Sequence, residues 1–412
     1  MYSSIMATNN TYHVTYPVGM WETSTVDDMV EPFTYNRSVN YDSDQDQPLS
    51  KRSNYIEFKI GVGLINYLLP VIIVFGLIGN VLSLVIMLRR RMRTSSVCHY
   101  LAILAVTDSI VLVVSALKTW IRTWSGFELL HVSNFACKFL KFLFFYSAHF
   151  SAWLVVAMTT ERVIAIWFPF KATTVCSKKR ARIVTLCLAF LLLAVNCHVL
   201  ITTKLVPDSN RPGKSVCTSE KDDYFICDIF PKINLAVYSL IPFVLLLLFN
   251  CSIVVALMCH RRFIESQHQS MKGHTGSIHS ATYSANSQKL TLMLLTVSFV
   301  WIITTIPYTV YTLFPNHTVS DAREQAVNFL IRVICYLTMY VNHGINFYIY
   351  ILTGKRFRRE LTRIFCGHKQ RRRMSSPQVK RKVHKTNSPL LENLIIEIGQ
   401  NKKPTTDETP IK

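Results

Sequence analysis

Seven long apolar runs, at residues 59–88, 99–120, 138–160, 181–204, 233–258, 290–314 and 327–352, restrict this chain to very few folds. A helix needs about 20 mostly apolar residues to cross the hydrocarbon core of a bilayer. Each run offers that length. A soluble protein would have to bury seven such helices completely, and the composition argues against it: half of the 412 residues are apolar and 17% are charged. Backbone groups in lipid must find their hydrogen bonds inside the protein, so runs of this kind become spanning helices packed against one another. The expected fold is an all-α membrane protein, a seven-transmembrane helix bundle.

The distribution of charge orients the bundle. The formal net charge of +21 sits in alternate connectors and not in one patch, which excludes nucleic acid as a partner. Arg89, Arg90, Arg91 and Arg93 follow the first run, Lys178, Lys179, Arg180 and Arg182 precede the fourth, and His260, Arg261 and Arg262 follow the fifth. Lys355, Arg356, Arg358 and Arg359 follow the seventh. The first fifty residues hold one basic side chain, Arg37, against acids such as Glu22, Asp27, Asp28 and Glu31. Basic loops stay in the cytoplasm, so the N-terminus is expected outside and the C-terminus inside a multi-pass plasma-membrane protein. Residues 1–30 lack a continuous apolar core, and the first run is expected to serve as its own insertion signal.

Three regions follow from this reading. Residues 1–58 form an extracellular, Ser/Thr/Asn-rich acidic tail, expected to be disordered and glycosylated at the sequons of Asn9 and Asn36. Residues 59–365 form the bundle, and 366–412 a basic cytoplasmic tail containing Ser and Thr. The eleven cysteines cannot all be paired, and three of them, Cys137, Cys217 and Cys227, face outside.

Several residues are too polar for their place. Asp108 lies in the middle of the second run, and the pair Glu161-Arg162 ends the third. Intramembrane charges are functional by default, against the plainer reading of Asp108 as a protonated, hydrogen-bonded structural acid. Pro242 and Pro307 interrupt the fifth and sixth runs. The order Gly79-Asn80-Val81, Leu104-Ala105-Val106-Thr107-Asp108, Cys137, Glu161-Arg162-Val163, Pro242, Pro307 and Asn346-Phe347-Tyr348-Ile349-Tyr350 resembles that of the rhodopsin-like (class A) G-protein-coupled receptors. The resemblance covers about residues 59–366. Within that family, Ser151-Ala152-Trp153-Leu154 before the Glu-Arg pair, and Asn342-His343-Gly344-Ile345-Asn346-Phe347, resemble invertebrate neuropeptide receptors of FMRFamide type.

The resemblance carries expectations. It implies a Cys137–Cys217 disulfide, leaving Cys227 over, and a short amphipathic eighth helix on the membrane surface beginning at Lys355, with Cys366 as a palmitoylation site. It assigns activation and G-protein coupling to Asp108, Glu161, Arg162, Trp301, Pro307, Asn346 and Tyr350. Asp108, Ser151, Asn342 and Asn346 would form an allosteric sodium site, the one ion expected, with His343 where a small hydroxyl residue is usual. Phe347 replaces the usual proline of the seventh span, and Thr305 stands where the sixth usually has tryptophan, so Trp301 would take the bulky role.

The ligand is narrowed by absences. Phe144 stands where amine receptors carry an aspartate, and Tyr340 where retinal proteins carry a lysine. What remains near the outer ends is cationic and aromatic: Lys118, Arg122, Lys141, Phe144, Tyr308, Tyr311 and Arg332 are the candidate ligand-binding set. Their plainer role is to snorkel toward headgroups. An extracellular peptide with an acidic or carboxylate portion fits them, with a lipid or small carboxylate as the alternative. No nucleophile–base set or phosphate loop supports catalysis, so an enzyme is not expected. A transporter would show repeats and several broken polar helices. Heterotrimeric G protein, membrane lipid and, after phosphorylation of loop and tail hydroxyls, an arrestin-like protein are the expected partners.

Overall fold

The computed structural model describes residues 52–207, 215–219, 229–270, 278–314 and 321–374, with the backbone alone at 52, 173, 219, 260–270, 278–289 and 366–374. Asn9, Asn36, Cys227 and the side chain of Cys366 lie outside it. The chain divides into two units, Met1–Leu361 and Thr362–Lys412. In the first unit, six helices are long and apolar enough to cross a membrane: α1 (Ile56–Met87), α2 (Ser96–Ser125), α3 (Asn134–Trp167), α4 (Lys178–Thr202), α5 (Phe230–Cys259) and α6 (Leu290–Leu313). A seventh, α7 (Ala322–Thr353), has 32 residues, ample length for a crossing. It is more polar than the others because it carries Arg332, Asn342, His343 and Asn346. A further helix, α8 (Lys355–Met374), begins in the first unit and runs into the second, where its residues from Thr362 to Met374 are the described part.

Three helix ends have a visible local cause. Ser133 caps α3 by accepting the Ala136 N–H at 3.1 Å, and Ser177 caps α4 by accepting that of Arg180 at 3.4 Å. Gly126 ends α2 with φ +69°, a left-handed conformation that other residues adopt at a cost. The helix of α5 continues to Ser270 and that of α6 begins at Ile278, so both reach well into the segment read from sequence as loop.

α3 is the centre of the bundle. Its most apolar stretch is 78% buried inside the protein, against 22% for α4, which leans on its outer side. α1 packs between α2 and α7, while α3 touches α2, α4, α5 and α6. The α1–α7 contact is backbone on backbone: a Cβ added to Gly344 would lie 3.1 Å from the Gly76 Cα. Gly344→Val should therefore overpack this seam and cost about 1–3 kcal/mol, read as a lower thermal midpoint of the purified protein. An unchanged midpoint would mean that the helices have room there.

Two prolines shape the bundle through the carbonyls left over before them. A proline lacks the N–H of the helical ladder and crowds the carbonyl four residues back. Pro70 and Pro242 each follow a wide π-helical turn, Leu64–Leu68 and Ala236–Leu240. Tryptophans from neighbouring helices take carbonyls left over in these wide turns, the one four residues before Pro70 and the one five residues before Pro242. Trp120 Nε1 donates to the Asn66 carbonyl at 3.3 Å, tying α2 to α1, and Trp153 Nε1 donates to that of Val237 at 3.0 Å, tying α3 to α5. Such repair is what lets helix-breaking residues persist in lipid.

One element departs from the helical pattern. The fourth run, read as continuing to residue 204, ends at Thr202. Strands β1 (Thr203–Pro207) and β2 (Ser215–Ser219) then pair antiparallel, Leu205 opposite Cys217. The β-branched residues Val206 and Val216 face each other in this ribbon, a pairing that suits strands.

Candidate functional site

The polar residues gather at three levels of the bundle. At the end of α3, Glu161 and Arg162 are both buried, and Arg162 Nη2 lies 3.6 Å from Glu161 Oε2. The same oxygen accepts the Ser96 hydroxyl of α2 at 2.7 Å. Ser96 is a site residue that the sequence did not reveal, since a serine at a helix start reads as a cap. Cys176, in the connector to α4, donates its thiol to the Glu161 carbonyl at 3.6 Å. Burial pushes that thiol's pKa up, and the nearby Glu161 charge adds to the effect. Across the same end, Tyr350 of α7 is buried against Phe357 of α8, ring centroids 5.5 Å apart, and Phe357 also meets Phe347 at 5.6 Å. Arg89 and Glu360 join the connector after α1 to α8 at 3.4 Å.

Asp108 anchors the middle level and is 0% exposed. Its Oδ1 accepts the Ser151 hydroxyl of α3 at 2.7 Å and bonds His343 Nδ1 of α7 at 2.8 Å. Its Oδ2 accepts the Asn346 amide at 2.8 Å. The His343 carbonyl in turn accepts Asn80 Nδ2 of α1 at 3.0 Å. Four helices meet in this one network. Asn342 is buried beside it, but among the described contacts no bond joins it to Asp108. One level away, Ser298 of α6 donates to Asn250 Oδ1 of α5 at 2.8 Å, and Trp301 is buried in the same helix.

The third level carries the disulfide. Cys137 and Cys217 are joined, their Cα atoms 5.6 Å apart. Lys141, one turn along α3, donates its Nζ to the Cys217 carbonyl at 3.2 Å, so its charge braces the β ribbon. Arg122 pairs with Glu128 at 3.3 Å, and Glu128 also holds His131 at 2.9 Å. Lys118 is 3% exposed, while half-buried Arg332 lies 5.9 Å from the Phe329 ring. Phe144 packs edge-on to Phe145 at 5.4 Å, and Tyr308 sits between Tyr238 at 5.8 Å and Tyr336 at 6.2 Å. Tyr311 stands apart from this set. It lines a cavity of about 720 Å³ between α6 and α7 together with Pro307, Asp321, Arg323 and Glu324.

A second buried chain escaped the sequence reading. Asn196 Nδ2 of α4 lies 3.0 Å from His149 Nδ1 of α3, and His149 Nε2 lies 2.9 Å from Asn234 Oδ1 of α5. Since Asn196 Nδ2 can only donate and Asn234 Oδ1 can only accept, His149 accepts at Nδ1 and donates from Nε2. Three helices are clamped through one imidazole. The signal available was three lone polar residues, each in an otherwise apolar run.

Comparison with known proteins adds an independent line. The family described as 7 transmembrane receptor (rhodopsin family) matches residues 79–350. Neuromedin-U receptor 2 of Homo sapiens is 24% identical over 366 residues, 84% of this chain and 84% of the relative. The FMRFamide receptor of Drosophila melanogaster is 26% identical over 342 residues, 79% of this chain and 56% of the relative. The thyrotropin-releasing hormone receptor of Gallus gallus is 25% identical over 324 residues, 72% of this chain and 77% of the relative.

Proposed function

This chain belongs to the rhodopsin family of seven-transmembrane receptors, and on that premise we propose that it binds an extracellular neuropeptide and activates a heterotrimeric G protein. It is a receptor of the membrane and not an enzyme. The observation that carries the peptide reading is its shared similarity to receptors named for neuromedin-U, FMRFamide and thyrotropin-releasing hormone. The acidic N-terminal segment and the basic connectors support an orientation with the disulfide end outside and Arg162 at the cytoplasmic face. Phosphorylated hydroxyls of the tail, Ser375 and Ser376 among them, would supply the charge an arrestin-like partner reads.

Signalling in this reading is a shift between two packings of the bundle, with the ligand favouring one. Glu161, held by the Ser96 hydroxyl, keeps Arg162 turned inward in the resting packing. Ligand at the disulfide end favours the packing in which Arg162 is released to the G protein. A calcium readout in cells carrying a promiscuous G protein, screened against a neuropeptide library, tests the function. No response to any peptide, with a response to lipids or small carboxylates, would overturn it.

The cations at the disulfide end make the ligand's chemistry testable. Arg122 is committed to Glu128 and Lys141 to the Cys217 carbonyl. Lys118, buried in α2, and Arg332, on α7 beside the Phe329 ring, are the members assigned to an anionic group on the ligand, because the two helices that carry them bring their charges to the disulfide end. A charge-assisted bond in a desolvated site contributes about 1.5–3 kcal/mol, so Lys118→Ala and Arg332→Ala should each lose about tenfold or more in potency. Charge reversal should lose more than neutralisation. Parental dose–response curves in both alanine variants would show that these side chains only reach toward headgroups.

A further inference from the structure

We infer that His343 stands in for a metal ion: the Asp108 carboxylate is closed by the chain's own donors, and this protein does not respond to sodium. The position of Asp108 among Ser151, Asn342 and Asn346 is the one that the family resemblance marks for that cation, so the donor set decides the matter. A hard cation is held by oxygen atoms, and each must offer a lone pair. An ionised carboxylate has about four lone-pair sites. Three of those of Asp108 already receive hydrogens, from Ser151 at 2.7 Å, His343 at 2.8 Å and Asn346 at 2.8 Å.

The imidazole is the decisive member. A ring nitrogen that carries hydrogen toward the carboxylate presents the positive end of its dipole, and it repels a cation approaching Oδ1. It also fills the space: His343 is 1% exposed, its ring sealed among α2, α3 and α7. Nor can α7 withdraw to make room. Its backbone at this level is fixed by the Asn80 bond to the His343 carbonyl at 3.0 Å. The next residue, Gly344, lies against Gly76 so closely that an added Cβ would be 3.1 Å from the Gly76 Cα. A serine in place of His343 would supply an oxygen and vacate the ring's volume, opening the site to an ion and its water.

The inference rests on the arrangement around Asp108 and not on which ligand the receptor takes, so sodium itself is the probe. The thermal midpoint of the purified full chain is measured as sodium chloride replaces choline chloride at constant ionic strength. The wild-type midpoint should stay still. His343→Ser should gain a sodium-dependent rise of about 2–4 °C, as a bound ion stabilises only the folded state. His343→Asn, which also brings an oxygen, should respond in the same direction. Asp108→Asn added to either variant should erase the rise. A wild-type midpoint that climbs with sodium overturns the inference, and so do two folded His343 variants that ignore it. Neither outcome depends on the peptide screen.

Discussion

Arg162→Ala is expected to abolish ligand-stimulated nucleotide exchange on the G protein while the receptor still reaches the cell surface. Arg162 is 7% exposed, and its contact with Glu161 at 3.6 Å is longer than a good hydrogen bond. Breaking a well-made buried pair costs about 3–5 kcal/mol, and a contact this long should cost less, too little to unfold seven helices. Glu161 would keep the Ser96 hydroxyl as its donor, so no bare carboxylate is left behind. What disappears is the cation that Glu161 holds at the end of α3. Exchange assayed with purified G protein, beside surface labelling of the same variant, separates signalling from folding. Wild-type exchange in Arg162→Ala would remove Arg162 from the coupling step. Ser96→Ala offers the converse reading: with Glu161 less anchored, basal exchange should rise.

The second large effect belongs to the disulfide. Cys137→Ser should cost about 2–5 kcal/mol, in keeping with loss of a native bridge, and should lower the thermal midpoint accordingly. The bridge closes a stretch with a sequence separation of 80, so freeing it restores much conformational entropy to the unfolded chain. A local cost is added. The Cys217 carbonyl accepts Lys141 Nζ, and once the ribbon drifts this charge-assisted bond is lost. Lys141→Met should accordingly reduce the penalty of Cys137→Ser, because the bond that the second change puts at risk is then already absent. A Cys137→Ser protein with an unchanged midpoint, or mass mapping that joins Cys137 to Cys227, would refute the pairing.

What could be read from the sequence divides along a physical line. Spanning helices are legible because lipid imposes length and apolarity on them, and the six most apolar runs each fall on one helix, although α2 and α3 run on past the expected ends to Ser125 and Trp167. α7 is legible by length despite Asn342, His343 and Asn346, which its buried face absorbs. Asp108 announces itself, since one carboxylate in an apolar run needs partners. Which partners it has depends on three helices at once, and no local pattern names His343 over Asn342. The same holds for Trp120 and Trp153: an indole in a span reads as an apolar filler, and only the packed bundle shows that each takes a carbonyl left over before a proline. The ribbon of Thr203–Pro207 and Ser215–Ser219 was missed because each strand has five residues, too few for its alternation to stand out beside a long apolar run.

That ribbon also has a mechanical side. It is riveted to α3 by the Cys137–Cys217 bridge, by Lys141 Nζ on the Cys217 carbonyl, and by the Leu205 N–H, which donates to Asn134 Oδ1 at 3.1 Å. Arg162 lies on the same unbroken helix, about 38 Å from Cys137 at 1.5 Å of rise per residue. The ribbon is thus less a lid over the bundle than a handle on its central shaft. Whatever leans on it from outside bears directly on the rod whose far tip carries the arginine.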